Sequence, residues 1–223
     1  MKIAILGGTG PEGAGLAFRW SQAGHEIIIG SRVKENAVAK ADELNQKIGS
    51  ARVTGRINRE AASAGEIVVL AIPYPGLASL LPEVRSACQS KVVVSAVVPL
   101  TFGRGRLFTP PPAGSAAEEA QELLGAGARV VAGFHHVAAD ALLSPAPVQC
   151  DLLIAGNHSD AKESVAQLGR AIGLRVLDAG PLSNAGPLEG ITALLATLNR
   201  KYKTRHSGII VTGIPPAQER ADV

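Results

Sequence analysis

A short apolar run at the start of the chain leads directly into a turn rich in glycine. Residues 3–6 are followed by Gly7-Gly8-Thr9-Gly10-Pro11-Glu12-Gly13, in which Gly8, Gly10 and Gly13 have the G-x-G-x-x-G spacing. This spacing is typical of a strand, a tight turn and a helix start, where bare backbone can approach a pyrophosphate and helix N–H groups can bind it. The turn therefore predicts a dinucleotide site, with a purely structural glycine turn as the alternative.

The residues after the turn favour the dinucleotide interpretation. A helical pattern that includes Leu16, Phe18 and Trp20 ends near Gly24, and residues 26–30 then form a second apolar strand. Strand, helix and strand together make a βαβ unit of about 30 residues, which is the expected length for such a site.

The end of the second strand indicates which dinucleotide binds. An NAD site has Asp or Glu roughly 20 residues after the glycines, where it binds the ribose hydroxyls. This chain has Gly30-Ser31-Arg32 there, with Lys34 next. A guanidinium can bind a phosphate through two hydrogen bonds, and a serine hydroxyl adds a donor. We therefore expect NADP(H); the alternative is that Arg32 is only a solvated residue at a strand end.

Apolar runs alternate with helical patterns along the rest of the chain. The predicted strands are residues 67–72, 91–98, 129–134, 150–155 and 175–177. The predicted helices are residues 37–48, 77–88, 159–172 and 187–202, of which the second is interrupted near Pro82. A further helix is predicted to start at the capping box formed by Ser115 and Glu118. Apolar strands separated by helices indicate a parallel sheet covered on both faces. We expect an α/β fold, a doubly wound parallel sheet of the Rossmann type. Residues 1–180 would form the NADP-binding domain, and residues 181–223 a small helical segment that covers the cleft or dimerises.

Composition and charge exclude several classes of protein. The chain has 223 residues, 46% of them hydrophobic, but its apolar runs are short and broken by Gly and Pro, so we expect no membrane span and a cytoplasmic protein. The two cysteines, Cys88 and Cys150, have no metal-binding or disulfide spacing and are expected to be reduced. A net charge of +3 favours anionic small molecules. The sequence contains no basic stripe with interleaved aromatic residues, so we do not expect it to bind nucleic acid.

The segment between the strand at 91–98 and the capping box allows two interpretations. Residues 102–114 are rich in Gly and Pro and predict a surface loop, in which Arg104 and Arg106 are either solvated or bind phosphate.

His135 and His136 follow a predicted strand, whose carboxyl end should face the ligand crevice. Because adjacent strand residues point to opposite faces, we expect at most one of them to line a pocket. The alternative is that one histidine is buried and the other lies at the surface, and the scattered histidines predict no metal site.

Six segments, taken in chain order, form a recognisable set: Ile5-Leu6-Gly7-Gly8-Thr9-Gly10, Gly30-Ser31-Arg32, Ile72-Pro73, Val98-Pro99, the segment around His135, and Asp178-Ala179-Gly180-Pro181-Leu182-Ser183-Asn184. Together they resemble the family of NADPH-dependent reductases of coenzyme F420, a deazaflavin. The resemblance runs nearly end to end. It implies hydride transfer between C4 of the nicotinamide and C5 of the deazaflavin, with the two rings stacked in the crevice.

The resemblance also implies roles for individual residues. Thr9, Gly10, Pro11 and Glu12 would surround the pyrophosphate, Ser31 and Arg32 would bind the 2′-phosphate, Tyr74 and Val98 would flank the nucleotide and the ring with Ala139 nearby, and Ser207 would contact the deazaflavin. The family often has a lysine at the position of Asn36, and Lys34 is the residue whose charge would replace it. Both rings carry the hydride chemistry, so no catalytic acid is expected, and His135 is the residue that could position a ring.

Two other functions and two features of the C-terminal segment remain open. The alternatives are an NADPH-dependent reductase of a flavin or a ferric complex, as in the cytosolic domains of membrane metalloreductases, and a non-catalytic NADP sensor. The apolar C-terminal helix predicts a homodimer. The basic residues 200–206 are either a solvated helix end or a contact for an anionic ligand.

Overall fold

An eight-stranded sheet runs through the computed structural model, which describes residues 1–101 and 107–214. The sheet has the order β3-β2-β1-β4-β5-β6-β7-β8, and its strands are β1 (Lys2–Leu6), β2 (Glu26–Ser31), β3 (Val53–Ile57), β4 (Ile67–Leu70), β5 (Val92–Ser95), β6 (Arg129–Ala132), β7 (Asp151–Gly156) and β8 (Arg175–Asp178). The strand order reverses between β1 and β4. In an open α/β sheet, ligands bind outside the carboxyl ends of the strands at such a point.

All neighbouring strands described here are parallel except β6 and β7, which are antiparallel. The α/β doubly wound fold predicted from the sequence is therefore confirmed, and the sheet contains one antiparallel pair that the sequence did not indicate. The antiparallel pairing was not predictable from composition, because β6 and β7 are as apolar as their parallel neighbours.

Helices cover both faces of the sheet. They are α1 (Pro11–Gln22), α2 (Lys34–Ile48), α3 (Asn58–Ala64), α4 (Leu77–Val84), α5 (Ala116–Leu124), α6 (Ala139–Leu143), α7 (Ser159–Ala171) and α8 (Ala185–Tyr202), with 3-10 turns at Tyr74–Gly76, Arg85–Cys88 and Leu182–Asn184. Within the described ranges, no helix combines the length and the apolarity that crossing a membrane requires.

Two apolar layers hold these helices against the sheet. In β1, Ile3 and Ile5 face the layer that contains α1, α2 and α7, and Ala4 and Leu6 face the layer that contains α3, α4, α5 and the start of α8. Trp20 of α1 is fully buried in the first layer, where its indole N–H donates to Leu168 O at 3.0 Å. Both faces of the sheet are buried, which explains why its central strands are apolar throughout.

The elements differ from the sequence prediction in a few places. β3 and α3 were not predicted, the strand expected over residues 91–98 spans only Val92–Ser95, and α8 begins two residues earlier than expected. The predicted capping box is confirmed: Ser115 Oγ accepts from the Glu118 N–H at 3.0 Å at the start of α5. Arg104 and Arg106 lie outside the described residues.

Candidate functional site

The glycine turn between β1 and α1 is built so tightly that side chains would not fit. Gly7 has a φ of +82°, and a Cβ there would lie 2.5 Å from Ala71 O. A Cβ on Gly13 would lie 2.7 Å from Gly8 Cα, so this glycine allows the helix to approach the turn. At Gly10 the nearest atom to a Cβ would be 3.5 Å away. The chain itself therefore requires glycine at positions 7 and 13, whereas the glycine at position 10 leaves space for something outside the chain.

Helix α1 begins at this turn with its first N–H groups free of side-chain caps. Gly10 is the N-cap and Pro11 the first helical residue, and no side chain within residues 1–101 and 107–214 caps the first turn. Free N–H groups and the helix dipole together make such a start a binding site for an anion. Thr9 and Gly10, which precede the helix, are half-buried, and Pro11 is exposed.

The predicted 2′-phosphate residues lie directly beside the glycine turn. The Gly7 N–H donates to Gly30 O at 3.0 Å, which brings the ends of β1 and β2 together. Ser31 is buried, and its hydroxyl accepts from the Val33 N–H at 3.2 Å, so its own proton remains available for a ligand. Arg32 is exposed and takes part in none of the ion pairs found within the described residues.

Two further predicted residues, Lys34 and Asn36, lie on the first turn of α2. Both are exposed. Lys34 therefore adds a mobile positive charge close to Arg32 in the chain, and Asn36 adds a neutral amide.

A cavity of about 220 Å³ lies where the glycine turn meets the segment after β6 and the C-terminal part of the chain. It is lined by Glu12, His135, His136, Val137, Ala138, Ala139, Thr192, Leu195, Ala196, Asn199, Arg205 and Ser207, and we call it the ring cavity. Four of the predicted site residues, Glu12, His135, Ala139 and Ser207, thus share one cavity although they are far apart in the sequence. Ala139 opens α6, which packs against α1.

Glu12 contributes an unpaired carboxyl group to the ring cavity. The residue as a whole is half-buried, but its Oε1 is buried and has no hydrogen-bond partner among the described residues. Burial raises the pKa of this carboxyl to about 8, because a charged carboxylate would lose its hydration without gaining a partner. Glu12 is therefore mostly neutral at pH 7 and can donate a hydrogen bond.

Both histidines line the ring cavity, which corrects the expectation that at most one would do so. They do not lie on a strand: β6 ends at Ala132, and Phe134 adopts a φ of +69° that turns the chain before them. Their rings make an edge-to-face contact with 5.2 Å between centroids. Burial lowers the pKa of His135 to about 3 and that of His136 to about 4, so both rings are neutral.

Tyr74 and Val98 follow the adjacent strands β4 and β5, at the carboxyl edge of the sheet, but neither lines the ring cavity. The Tyr74 hydroxyl donates to Glu119 Oε2 at 2.7 Å. Burial and this neighbouring carboxylate raise the pKa of Tyr74 to about 12, which keeps the phenol protonated. Val98 is half-buried.

The sequence predicted a C-terminal helical segment that covers the cleft or dimerises, but it did not identify the residues of α8 that line the site. Thr192, Leu195 and Asn199 reach the ring cavity from successive turns of this helix, and Arg205 reaches it from the segment that follows. The helical spacing of residues 192, 195 and 199 was visible in the sequence, but nothing local indicates which layer that face contacts. The described residues contain no group of His, Cys, Asp and Glu side chains suited to a metal ion.

The chain is similar to known proteins along nearly its whole length. The model of the family described as "NADP oxidoreductase coenzyme F420-dependent" matches residues 2–99, which contain the glycine turn, Ser31 and Arg32. The F420-dependent NADP reductase of Methanothermobacter marburgensis is 41% identical over 96% of this chain and 100% of that protein. The reductase of the same name from Methanocaldococcus jannaschii is also 41% identical, over 96% of this chain and 99% of that protein.

A solved structure shows the same fold. The crystal structure of a candidate F420-dependent NADP reductase from Arthrobacter sp. FB24 superposes with a TM-score of 0.83 and covers 95% of this chain and 99% of that chain. At 24% sequence identity, this likeness concerns the fold alone.

Proposed function

This chain belongs to the family of coenzyme F420-dependent NADP oxidoreductases, and from that premise we propose how its site performs the reaction. It is an oxidoreductase that transfers a hydride between NADP(H) and the deazaflavin F420. The hydride passes between C4 of the nicotinamide and C5 of the deazaflavin, and one proton is taken up for each deazaflavin reduced. Both substrates bring the redox chemistry, so the chain has to bind them, orient them and exclude water.

The β1–α1 turn and the end of β2 form the nucleotide side of the proposed site. Thr9, Gly10, Pro11 and Glu12 surround the pyrophosphate, which the free N–H groups of α1 bind. Ser31 and Arg32 bind the 2′-phosphate, with Lys34 as a second positive charge and Asn36 as a neutral neighbour. Support for this assignment comes from the hydrogen bond between Gly7 and Gly30, which holds the two phosphate-binding regions side by side.

The ring cavity is the proposed place of hydride transfer, and one observation carries this assignment. Glu12, from the turn that would hold the pyrophosphate, shares the cavity with Ser207, which the family resemblance assigns to the deazaflavin. A nicotinamide that extends from the turn would enter this cavity, with Ala139 and His135 beside it. Tyr74 and Val98 would flank the nucleotide along the sheet edge.

The chemistry of the lining suits hydride transfer. Val137, Ala138, Leu195 and Ala196 provide aliphatic surface for the rings to pack against, and the two neutral histidines add no charge to repel a cationic nicotinamide. Holding donor and acceptor carbons about 3 to 3.5 Å apart in a dry site is the main contribution such a protein can make.

The proposed function is tested by mixing the purified protein with NADPH and oxidised F420 and following the deazaflavin absorbance. We expect rapid loss of the absorbance of oxidised F420 with NADPH and little with NADH. FMN and a ferric chelate are the comparison acceptors, and preferential reduction of either would contradict the proposal. Tight NADPH binding without reduction of any of the three would indicate a sensor.

The exposed face of α8 supports a homodimer. Leu194, Leu198 and Tyr202 recur every four residues on one face and are 66%, 41% and 66% exposed. A stripe of this kind on an outer helix is typical of a surface that another protein covers. We propose that a second copy of the chain covers it, since most oligomers of soluble proteins are built from identical chains.

The state of the cysteines supports a cytoplasmic location. Cys88 and Cys150 are both free and buried. Buried free thiols suit a reducing compartment, in which NADPH is also found.

A further inference from the structure

The C-terminal residues after α8 form a wall of the ring cavity. Arg205 and Ser207 line it, and His206, Ser207 and Gly208 line a neighbouring cavity of about 360 Å³ that shares Ala138 and Ser207 with it. We call residues 204–211 the tail. Because one short stretch borders both cavities, the position of the tail sets their shape.

The tail is held to the start of β7 by a buried carboxylate. Asp151 Oδ1 accepts from Arg175 Nε at 2.8 Å, and its Oδ2 accepts from Arg175 Nη2 at 2.5 Å. The same Oδ2 accepts from the Val211 N–H at 2.6 Å, while Arg175 Nη2 also donates to Val211 O at 2.5 Å. The Asp151 N–H donates to Ile209 O at 2.8 Å. Asp151 and Arg175 thus bind both the N–H and the C=O of one tail residue.

Burial distinguishes this ion pair from those on the surface. The Asp151 side chain is only 6% exposed, whereas that of Arg175 is 38% exposed. Hydrogen bonds from Arg175 and Val211 lower the pKa of Asp151 below its usual range. Surface pairs contribute little, but here the loss of Arg175 would leave the buried Asp151 carboxylate without a compensating charge.

Contacts between the tail and its neighbours hold Ser207 at the ring cavity. The Ser207 N–H donates to Asn199 Oδ1 at 3.1 Å, and the Ser207 hydroxyl donates to Leu195 O at 3.3 Å. A Cβ on Gly208 would lie 2.6 Å from Cys150 Cβ, so the tail passes very close to β7. Ser207 is therefore held between α8 on one side and the Asp151–Arg175 pair a few residues further on.

The backbone of Asp151 is also close to His136, which lines the ring cavity. The Nε2 atom of His136 lies 3.1 Å from Asp151 O and 3.1 Å from the N atom of Leu153. A histidine on one wall and the tail on another are thus both tied to the first residues of β7.

We propose that Asp151 and Arg175 are positioning residues for the deazaflavin side of the site. They keep the tail in place so that Ser207 and Arg205 face the ring cavity, and they act without contacting the substrate. This inference rests on the proposed function, because it takes Ser207 to be a deazaflavin contact. The nucleotide side, at the glycine turn and Ser31, has no hydrogen bond to the tail among the described residues, so the effect should be selective for one substrate.

The test compares variants of the full-length protein. Asp151→Asn keeps the shape of the side chain but removes its charge, and Arg175→Lys keeps the charge but removes the paired donors. Lys162→Gln is the matched control, because it removes the pair between Lys162 and Asp178, 2.6 Å apart, at the opposite end of β8. For each protein we would measure KM for F420 and for NADPH, the Kd of NADP+ by calorimetry, and hydrogen exchange of residues 204–211 without ligands.

We expect Asp151→Asn to raise the KM for F420 by roughly tenfold and to speed exchange of the tail, with the Kd of NADP+ changed less than about twofold. Arg175→Lys should show a smaller change in the same direction and carries the test if Asp151→Asn does not fold. Lys162→Gln should match the wild type.

Equal increases for both substrates, or an unchanged KM for F420 despite a loosened tail, would overturn the inference. Unchanged exchange of the tail would do so too. If the wild type reduced no F420, the proposed function would fail instead, and the exchange data would still show whether Asp151 and Arg175 hold the tail.

Discussion

The two sides of the ring cavity are built in different ways. The nucleotide side is continuous in sequence: the strand, glycine turn, helix and second strand that carry Gly10 and Arg32 lie within residues 2–32. The opposite side combines the segment after β6, the helix α8 and the tail, which are held by contacts such as the one between Asp151 and Val211, 60 residues apart. A local motif fixes the first side, whereas only the complete fold assembles the second.

The largest expected effects come from the glycine turn, and they separate folding from binding. Gly10→Ala should weaken NADPH binding roughly a hundredfold, because a methyl group there would occupy the space that the proposed site leaves for the pyrophosphate. Its stability should be close to that of the wild type, since a Cβ there lies no closer than 3.5 Å to the rest of the chain.

Gly13→Ala is the matched variant. Its methyl group would lie 2.7 Å from Gly8 Cα, so it should lose binding and also about 1–3 kcal/mol of unfolding free energy. Calorimetric titration with NADPH and urea unfolding measure the two effects. Equal destabilisation by both substitutions would contradict the distinction.

Arg32→Ala tests the choice between the two dinucleotides. We expect the Kd of NADPH to rise roughly tenfold or more with little change for NADH, because the proposed bidentate hydrogen bond to the 2′-phosphate would be lost. Lys34→Ala provides the comparison and should have a smaller effect, since a lysine contributes a single mobile charge. An equal loss for both nucleotides would show that Arg32 does not recognise the phosphate.

Glu12 links the two sides, and its titration should be visible. Its pKa is raised to about 8 from an ordinary 4.5, so the stability it contributes is fully present below pH 4.5 and is lost as the pH rises through 8. The wild type should therefore lose about 4 kcal/mol of unfolding free energy relative to Glu12→Gln between pH 4.5 and pH 8.5, as measured by urea unfolding.

The same ionisation should weaken NADPH binding several-fold above pH 8, because a carboxylate would then lie beside the pyrophosphate. Glu12→Gln should bind with a flat pH profile. Glu35→Gln, an exposed acidic residue in the first turn of α2, is the control and should leave the wild-type profile unchanged. A wild-type profile without a step near pH 8 would contradict a neutral Glu12.

The smallest effect on the site is expected from the outer face of α8. Leu194→Lys places a charge on a residue that is 66% exposed, so folding and NADPH binding should stay unchanged. Sedimentation velocity should nevertheless show dissociation of the proposed homodimer. A monomeric wild type, or a variant that remains dimeric, would contradict this use of the stripe.

The difference between the two sides also explains what the sequence could predict. The glycine turn, the strands around it and the position of Arg32 follow from patterns within a few residues of one another. β3 was missed because its burial is low, with only Val53 buried among its five residues, so it has no apolar run.

Long-range features left no local signal. Asp151 reads as an ordinary polar residue at the start of a strand, although Arg175 and Val211 pair with its side chain. Glu189 lies within an apolar helical pattern, yet it is fully buried and accepts from the Ala116 and Ala117 N–H groups, at 3.0 and 3.1 Å. The histidine pair was misjudged because the end of β6 and the turn at Phe134 could not be located from the sequence.

Direct hydride transfer between the two rings is the central claim, and isotopic labelling tests it most directly. NADPH carrying deuterium at C4 would be incubated with the wild-type protein and oxidised F420, and the reduced deazaflavin analysed by mass spectrometry. We expect each molecule of F420 that is reduced to gain one deuterium at C5 when the label lies on the face of the nicotinamide from which the hydride leaves. Reduction of F420 without any deuterium in the product, whichever face of the nicotinamide carries the label, would contradict the account.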